Sequence, residues 1–283
     1  MKKIYENLVI FNEKVSLAHA DIGPMLVFDS DKVIGQSLLS QGKFQEEKVS
    51  DVADFLKKKY SFISEFFVDI GANIGTHTIF ALKKACFKQA ICVEPDIRNY
   101  SLLTCNIILN NLVSRVSLFN NAISENSSET LQLELSSDNY GDHRIRKDIS
   151  GGADFGESKR KIIEVQTMTL QDIINETLPI NLDNLLVWVD TQGYEGSVLK
   201  GYNITKKNPF FVVEFWPYGL ERTNNKQLFF EFLKKCSCIY DVNVENWQEF
   251  GIVSVEKIMR QYNEMLNKTT ETYYPHSDLL CIL

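Results

Sequence analysis

Acidic side chains stand where short apolar runs give out: Asp69 in FFVDIGANIGTHT, Glu94 in AICVEP, Asp190 in LLVWVD and Glu214 in FFVVEFW, with Glu195 just past the third. A carboxylate at a strand end can accept hydrogen bonds from both hydroxyls of a ribose or hold a cationic group. His143, in GDHRI, adds a side chain whose ordinary pKa suits a base at neutral pH. The stretch Phe66 to Thr78 organises the rest. Its first residues predict a short buried strand, Gly71-Ala72-Asn73-Ile74-Gly75 a tight bend, and Thr76 onward the opening of a helix. Small residues in such a bend let a ligand approach the backbone, and the free N–H groups of the helix point at it. The spacing is not the G-x-G-x-x-G of dinucleotide enzymes, and Asp69 would repel a pyrophosphate. It suits a cationic neighbour such as the amino group of a bound amino acid. Asp-x-Gly-x-x-x-Gly therefore points to S-adenosylmethionine (SAM), with S-adenosylhomocysteine as product, rather than NAD or ATP. The bland alternative is an ordinary β–α turn.

Strands and helices must alternate to place these residues. After FFVDI, helices are expected near 76–86, 97–110 and 195–201 and over NKQLFFEFLKK, and strands over AICVEP, VSLFNNAIS, LLVWVD and FFVVEFW. LQLELSS and KIIEVQTMTL read as further extended segments. Near-continuous apolar strands alternating with helices predict a parallel sheet covered on both faces. CSCIYDVNV and DLLCIL, with a helix-poor connection, suit an antiparallel hairpin at one edge. Before the cradle, MLVFDSDKVIGQSLL reads as a hairpin turning at Asp29-Ser30-Asp31, and EEKVSDVADFLKKKY as a helix. Residues 1–65 are thus expected to form a β/α extension or cap, and 66–283 the ligand-binding domain. The polar stretch Ser136 to Arg160 is a long loop, a feature usually mobile or functional.

At 283 residues, with 44% hydrophobic and 24% charged residues, the chain has the composition of a soluble globule. A net charge of −7 argues against a nucleic-acid partner, because no basic excess exists to displace counterions. The six cysteines show no C-x-x-C pair and read as reduced core thiols. No signal peptide and no run of ~18 apolar residues is evident, which predicts a cytoplasmic protein without a membrane span.

FVDIGANIGTHT, VEPDIRNYSLLTCNIILNN, VDTQGYEGSVLKGY and VVEFWPYGL together resemble the FkbM family of SAM-dependent methyltransferases, over about residues 26 to 216. The resemblance implies a Rossmann-like class I fold, α/β with a mostly parallel seven-stranded sheet and an antiparallel C-terminal edge strand. It further implies O-methylation of a hydroxyl on a sugar, a glycolipid or polysaccharide, or a polyketide-type product. One departure stands out: Gln192 occupies a position where the family often has Glu, so no carboxylate acts there.

The cofactor contacts expected are Asp69, Gly71, Ala72, Asn73, Gly75 and Thr76, then Glu94 and Pro95, Asn121 and Ala122, and Asp190. His143, Asp190 and Glu214 are the candidates for taking the hydroxyl proton. Arg144, Glu195, Trp216 and Tyr218 are the candidate acceptor contacts, with Trp188 assigned to the core. A divalent metal is not expected; were one bound, Asp190 and Glu214 would hold it. The partner is a small-molecule or glycan acceptor, and a homo-oligomer is compatible with the sequence. Two rivals remain at this point: a non-catalytic SAM-binding protein, and an NAD-dependent sugar oxidoreductase, whose G-x-G-x-x-G turn and Tyr-x-x-x-Lys pair are missing near the cradle.

Overall fold

The computed structural model describes residues 8–45, 47–147, 156–178, 184–204, 208–270 and 273–283. Strands β1 (Leu8–Ile10), β2 (Glu13–Ala20) and β3 (Gly23–Phe28) form an antiparallel meander, followed by α1 (Ile34–Gln41) and α2 (Glu47–Tyr60). Alternation then begins: β4 (Phe66–Ile70), α3 (Thr76–Lys83), β5 (Gln89–Val93), α4 (Ile97–Leu109) and β6 (Val116–Phe119). A second small sheet takes β7 (Ala122–Ile123), β8 (Thr130–Leu135), β9 (Arg144–Ile145) and β10 (Lys161–Met168). Next come α5 (Leu170–Thr177), β11 (Leu185–Val189), α6 (Glu195–Lys200), β12 (Phe210–Phe215), α7 (Pro217–Arg222) and α8 (Lys226–Leu233). The chain closes with β13 (Cys238–Asp241), α9 (Trp247–Phe250), α10 (Val255–Lys268) and β14 (Ser277–Ile282).

The main sheet has seven strands in the order β13-β14-β12-β11-β4-β5-β6. The pairs β12–β11, β11–β4, β4–β5 and β5–β6 are parallel, whereas β14 runs antiparallel to both its neighbours. The expected antiparallel edge strand is therefore corrected in one respect. The last strand lies between β12 and β13, and β13 holds the edge. Nor is the connection between the final two strands helix-poor, since α10 occupies it. Val255, Ile258, Tyr262, Met265 and Leu266 of that helix recur at helical spacing, Ile258 and Tyr262 buried and the other three packed partly buried on the same layer.

Side chains alternate across the strands and divide the core in two. Phe67, Leu186, Trp188, Val212 and Leu280 face a layer that includes α2, α3, α4 and the N-terminal meander, and Val68, Ile70, Val187, Val189 and Val213 face α5, α6, α8 and α10. Trp188 is a core residue, as its strand position implies. Among the described residues no helix is long and apolar enough to cross a membrane.

Two further expectations change. Asp29-Ser30-Asp31 does not turn a hairpin, because Asp31 accepts the N–H groups of Val33 and Gly35 and so opens α1. The hairpin turn comes earlier, between β2 and β3. VSLFNNAIS also divides at Asn120-Asn121, with β6 in the main sheet and β7 in the small one.

The extension is fastened to the core by amides. Asn106 of α4 accepts the Leu26 N–H (2.6 Å) and donates to the carbonyls of Leu26 (3.1 Å) and Ile74 (2.9 Å). Asn110 donates to the Pro24 carbonyl (2.9 Å). An asparagine side chain thus serves as one more peptide unit for the edge of β3, and also holds the turn that ends in Gly75. Asn106→Ala leaves those buried groups without partners and should cost about 2–4 kcal/mol. The urea midpoint measures this, and a loss below ~1 kcal/mol would show that the meander docks without the amide.

Candidate functional site

The cleft lies beyond the C-terminal ends of the parallel strands, where ligands sit in open sheets of this kind. It encloses about 810 Å³ of space, partly continuous with solvent, and its lining includes Gly71, Ala72, Asn73, Thr76, Glu94, Pro95, Asn121, Ala122 and Asp190. The structure therefore brings together nine of the residues singled out for the cofactor. Gly71 (φ +88°) packs so closely on the end of β11 that a Cβ would lie 1.8 Å from the Asp190 carbonyl oxygen. Its amide and that of Ala72 both donate to the Val93 carbonyl, which fixes the turn against β5.

Glu94 is buried, and each carboxylate oxygen accepts one backbone N–H, from Asp96 at Oε1 and Asn73 at Oε2 (both 2.9 Å). Burial and the charge of Asp96 push its carboxyl up to about 8 against those bonds. One lone pair on each oxygen remains for a ligand donor.

Across the cleft, Asp190 and Glu214 are bridged by the amide of Gln192. Its Nε2 lies 2.7 Å from Asp190 Oδ1 and 3.1 Å from Glu214 Oε2. Burial raises both carboxyls, and the neighbouring Asp190 raises Glu214 further. Among the described residues no group of three His, Cys, Asp or Glu is arranged to hold a metal ion, and between these two acids stands an N–H donor.

Other expected residues have different work. Asp69 lies under the turn and accepts from Thr78 Oγ1 (2.6 Å), since its strand position points it into the α3 layer; it does not line the cleft. Burial pushes it up to about 7. Gly75 also stays outside the lining, as the left-handed residue (φ +94°) that admits α3. Glu195 is fully buried and accepts from the Thr191 N–H and Oγ1 and the Gly193 N–H, so it caps the turn before α6 rather than meeting an acceptor.

His143 lines the cleft but is not a free base. Its Nδ1 accepts the Ser136 N–H (3.1 Å), which puts the proton on Nε2, and Nε2 faces Asp96 Oδ2 (3.2 Å) with Arg98 Nη2 at 3.3 Å. Arg144 is buried and forked onto Asp142 (2.6 and 2.7 Å), with Glu157 at 2.8 Å. Its guanidinium lies 4.6 Å from the Trp216 ring centre and 5.7 Å from that of Tyr218. Tyr218 donates to Glu157 (2.6 Å). The Arg144 guanidinium thus lies against the rings of Trp216 and Tyr218, and none of the three lines the cleft. Of that long loop, residues 148–155 lie outside the described residues.

The part before it is a fixed cover. Tyr140 donates its hydroxyl to Glu13, its carbonyl accepts from Asn73 (2.7 Å) and Asn99 (3.0 Å), and Arg98 lies over its ring at 4.9 Å. Arg98 also joins Glu13 (2.8 Å) to Asp96 (3.0 Å). The N-terminal extension therefore braces the cover and supplies Ile34 and Phe44 to the lining. Sequence reasoning passed over His77, on the first turn of α3. Its ring lines the cleft 5.2 Å from that of Trp188. Burial lowers it to about 4, with Asp278 opposing and Lys48 reinforcing the shift, so it is neutral at physiological pH. It stood in the quoted GTHT; helical placement after the glycine turn was the available signal.

Parallel strands with a last strand inserted antiparallel, and a glycine turn facing a strand-end acid, define a Rossmann-like methyltransferase fold. The family model described as "Methyltransferase FkbM domain" matches residues 69–241, more than half of the chain. The chain belongs to the FkbM methyltransferase family. Among solved structures it is similar to a methyltransferase FkbM from Methylobacillus flagellatus (16% identity, TM-score 0.38), covering 77% of this chain and 43% of that one. It is also similar to Pyrococcus horikoshii TYW2 in complex with MeSAdo (13% identity, TM-score 0.41), covering 95% of this chain and 71% of that one. The chain spans less than half the length of the Methylobacillus protein. A search of curated sequences returns no match.

Gln192→Glu would set a third buried carboxylate against Asp190 and Glu214. It should destabilise the fold by about 3 kcal/mol or more at pH 8. The folded pKa of the new acid lies above its unfolded value, so stability is retained at low pH and lost as pH rises through the folded pKa. Urea denaturation at pH 5 and pH 8 measures the difference, and an equal loss at both would show that the amide is not what separates the two acids.

Proposed function

We propose that the chain is a SAM-dependent O-methyltransferase acting on a hydroxyl of a sugar, a glycolipid or polysaccharide, or a polyketide-type natural product. The observation that carries this reading is the pairing of two unlike carboxylates across one cleft. Glu94 is held by backbone donors with a lone pair spare on each oxygen, and Asp190 accepts from the Gln192 amide that also reaches Glu214. Family membership supports methyl transfer, and the donor set fits the cofactor. Hydroxyls of a ribose match the spare lone pairs of Glu94, small turn residues leave the backbone open, and a cationic ligand matches Asp190 in a site with no facing arginine among the lining residues.

When bound, SAM supplies an electrophilic methyl carbon on a sulfonium. Asp190 accepts the proton of the acceptor hydroxyl, turning a weak nucleophile into a competent one. The Gln192 amide, shared with Glu214, fixes the orientation of the Asp190 carboxylate. His77, neutral through burial, offers the acceptor one further hydrogen bond, and Phe44 and Ile34 close that side against water.

Glu94 is protonated at neutral pH in the free protein, whereas hydroxyl donors favour its ionised form. SAM binding should therefore release a proton below pH 8, and affinity should rise with pH by at most about tenfold per unit, levelling above pH 8. Calorimetry in buffers of different ionisation enthalpy reads both. Glu94→Gln should weaken binding about 10- to 100-fold and abolish the pH dependence. Asp190→Asn should lower turnover about 10²- to 10⁴-fold, measured with a labelled methyl donor and a panel of glycans and polyols. Absence of SAM binding to the unmodified chain would overturn the cofactor reading. Binding without transfer to any hydroxyl acceptor would overturn the activity.

A further inference from the structure

Asn99, on the first turn of α4, is only 1% exposed, yet it belongs to the cleft lining. The amide orientation is fixed, because Nδ2 donates to the Tyr140 carbonyl (3.0 Å) and a carbonyl admits only a donor there. Oδ1 is left with no hydrogen-bond partner among the described residues. A buried acceptor without a donor is costly and calls for an explanation. Its surroundings supply one. The same Tyr140 carbonyl accepts from Asn73 Nδ2 (2.7 Å), and the Asn73 backbone N–H lies on Glu94 Oε2 (2.9 Å). Asn99 and Glu94 therefore belong to one short chain of hydrogen bonds, on the same side of the cleft.

We infer that Asn99 Oδ1 is a second acceptor, beside Glu94, for a ribose hydroxyl of the nucleoside bound in this cleft. The inference rests on the SAM reading above and adds a residue that positions the sugar. A diol brings two donors, and the wall then offers a carboxylate and a neutral amide oxygen. The amide also couples the sugar to the cover, since its other end holds Tyr140. The geometry requires only that the ligand bring O–H donors.

Calorimetry with S-adenosylhomocysteine and its 2′-deoxy and 3′-deoxy analogues tests this in the full chain. The unmodified protein should bind the parent nucleoside and lose affinity for the deoxy analogues. In Asn99→Ala, discrimination against one of the two analogues should fall by roughly five- to tenfold, about the worth of one neutral hydrogen bond. Weakening of the parent and both analogues by the same factor would overturn the inference, leaving Asn99 as an anchor for Tyr140. Glu94→Gln provides an independent arm that does not depend on how Asn99→Ala folds. It should retain part of the discrimination through Asn99, and equal binding of all three ligands there would also overturn it. Failure of the unmodified chain to bind the parent nucleoside is a separate result, which removes the SAM reading itself.

Discussion

Burial of several carboxylates at one edge of a parallel sheet is the constraint on which the structure depends. An ionised acid out of water must be met by donors or by a proton. This chain meets the buried acids at that edge with neutral donors. Backbone N–H groups hold Glu94 and Glu195, the Thr78 hydroxyl holds Asp69, and the Gln192 amide holds Asp190 and Glu214. The arginines near the site are bound to other acids, Arg98 to Glu13 and Asp96, and Arg144 to Asp142 and Glu157. Carboxyl groups are thereby kept in the cleft wall, and the guanidinium groups of Arg98 and Arg144 are spent on acids outside the lining.

Strand ends were legible because each is a nearly continuous apolar run closed by one acid, and a buried parallel strand leaves little room for another reading. That placed the glycine turn, Glu94, Asn121 and Asp190 on the cleft. The rest of the site depends on pairings between distant segments, which residue type alone does not reveal. His143 has the right chemistry for a base, but its two nitrogens are taken by Ser136 and Asp96. Trp216 and Tyr218 follow the right strand, but Arg144 comes from 72 residues before Trp216 and covers them. A short polar signal can also serve two geometries. Asp31 could turn a hairpin or open a helix, and its contacts with Val33 and Gly35 select the helix. Helix α10 did carry its signal, with Val255, Ile258, Tyr262, Met265 and Leu266 on one face, but it lies in a segment read only as the connection between two strands.

Gln192 shows how one departure from a family pattern acquires physical meaning only in place. A glutamate there would add a third carboxyl to a pocket already holding two raised ones. The amide has the same reach but presents two N–H groups, and each of the neighbouring acids takes one. One neutral side chain thus supplies a donor to both acids, which a third carboxylate would not do.

The N-terminal segment enters the site through the same principle of satisfying buried polar groups. Asn106 treats the backbone of β3 as a ladder partner and at the same time holds the carbonyl of Ile74 in the glycine turn. Glu13, reached from β2, ties Arg98 and the Tyr140 hydroxyl. Loosening the meander would therefore act on the turn and on the cover together, even though neither Asn106 nor Glu13 lines the cleft. The extension is better understood as a strut shared by both walls than as a flap over one, because its hydrogen bonds run to the elements that hold the ligand-facing atoms. A site built from loops at a sheet edge obtains its rigidity from such long-range pairs, and here they converge on the carbonyl of Tyr140 and the amides of Asn73 and Asn99.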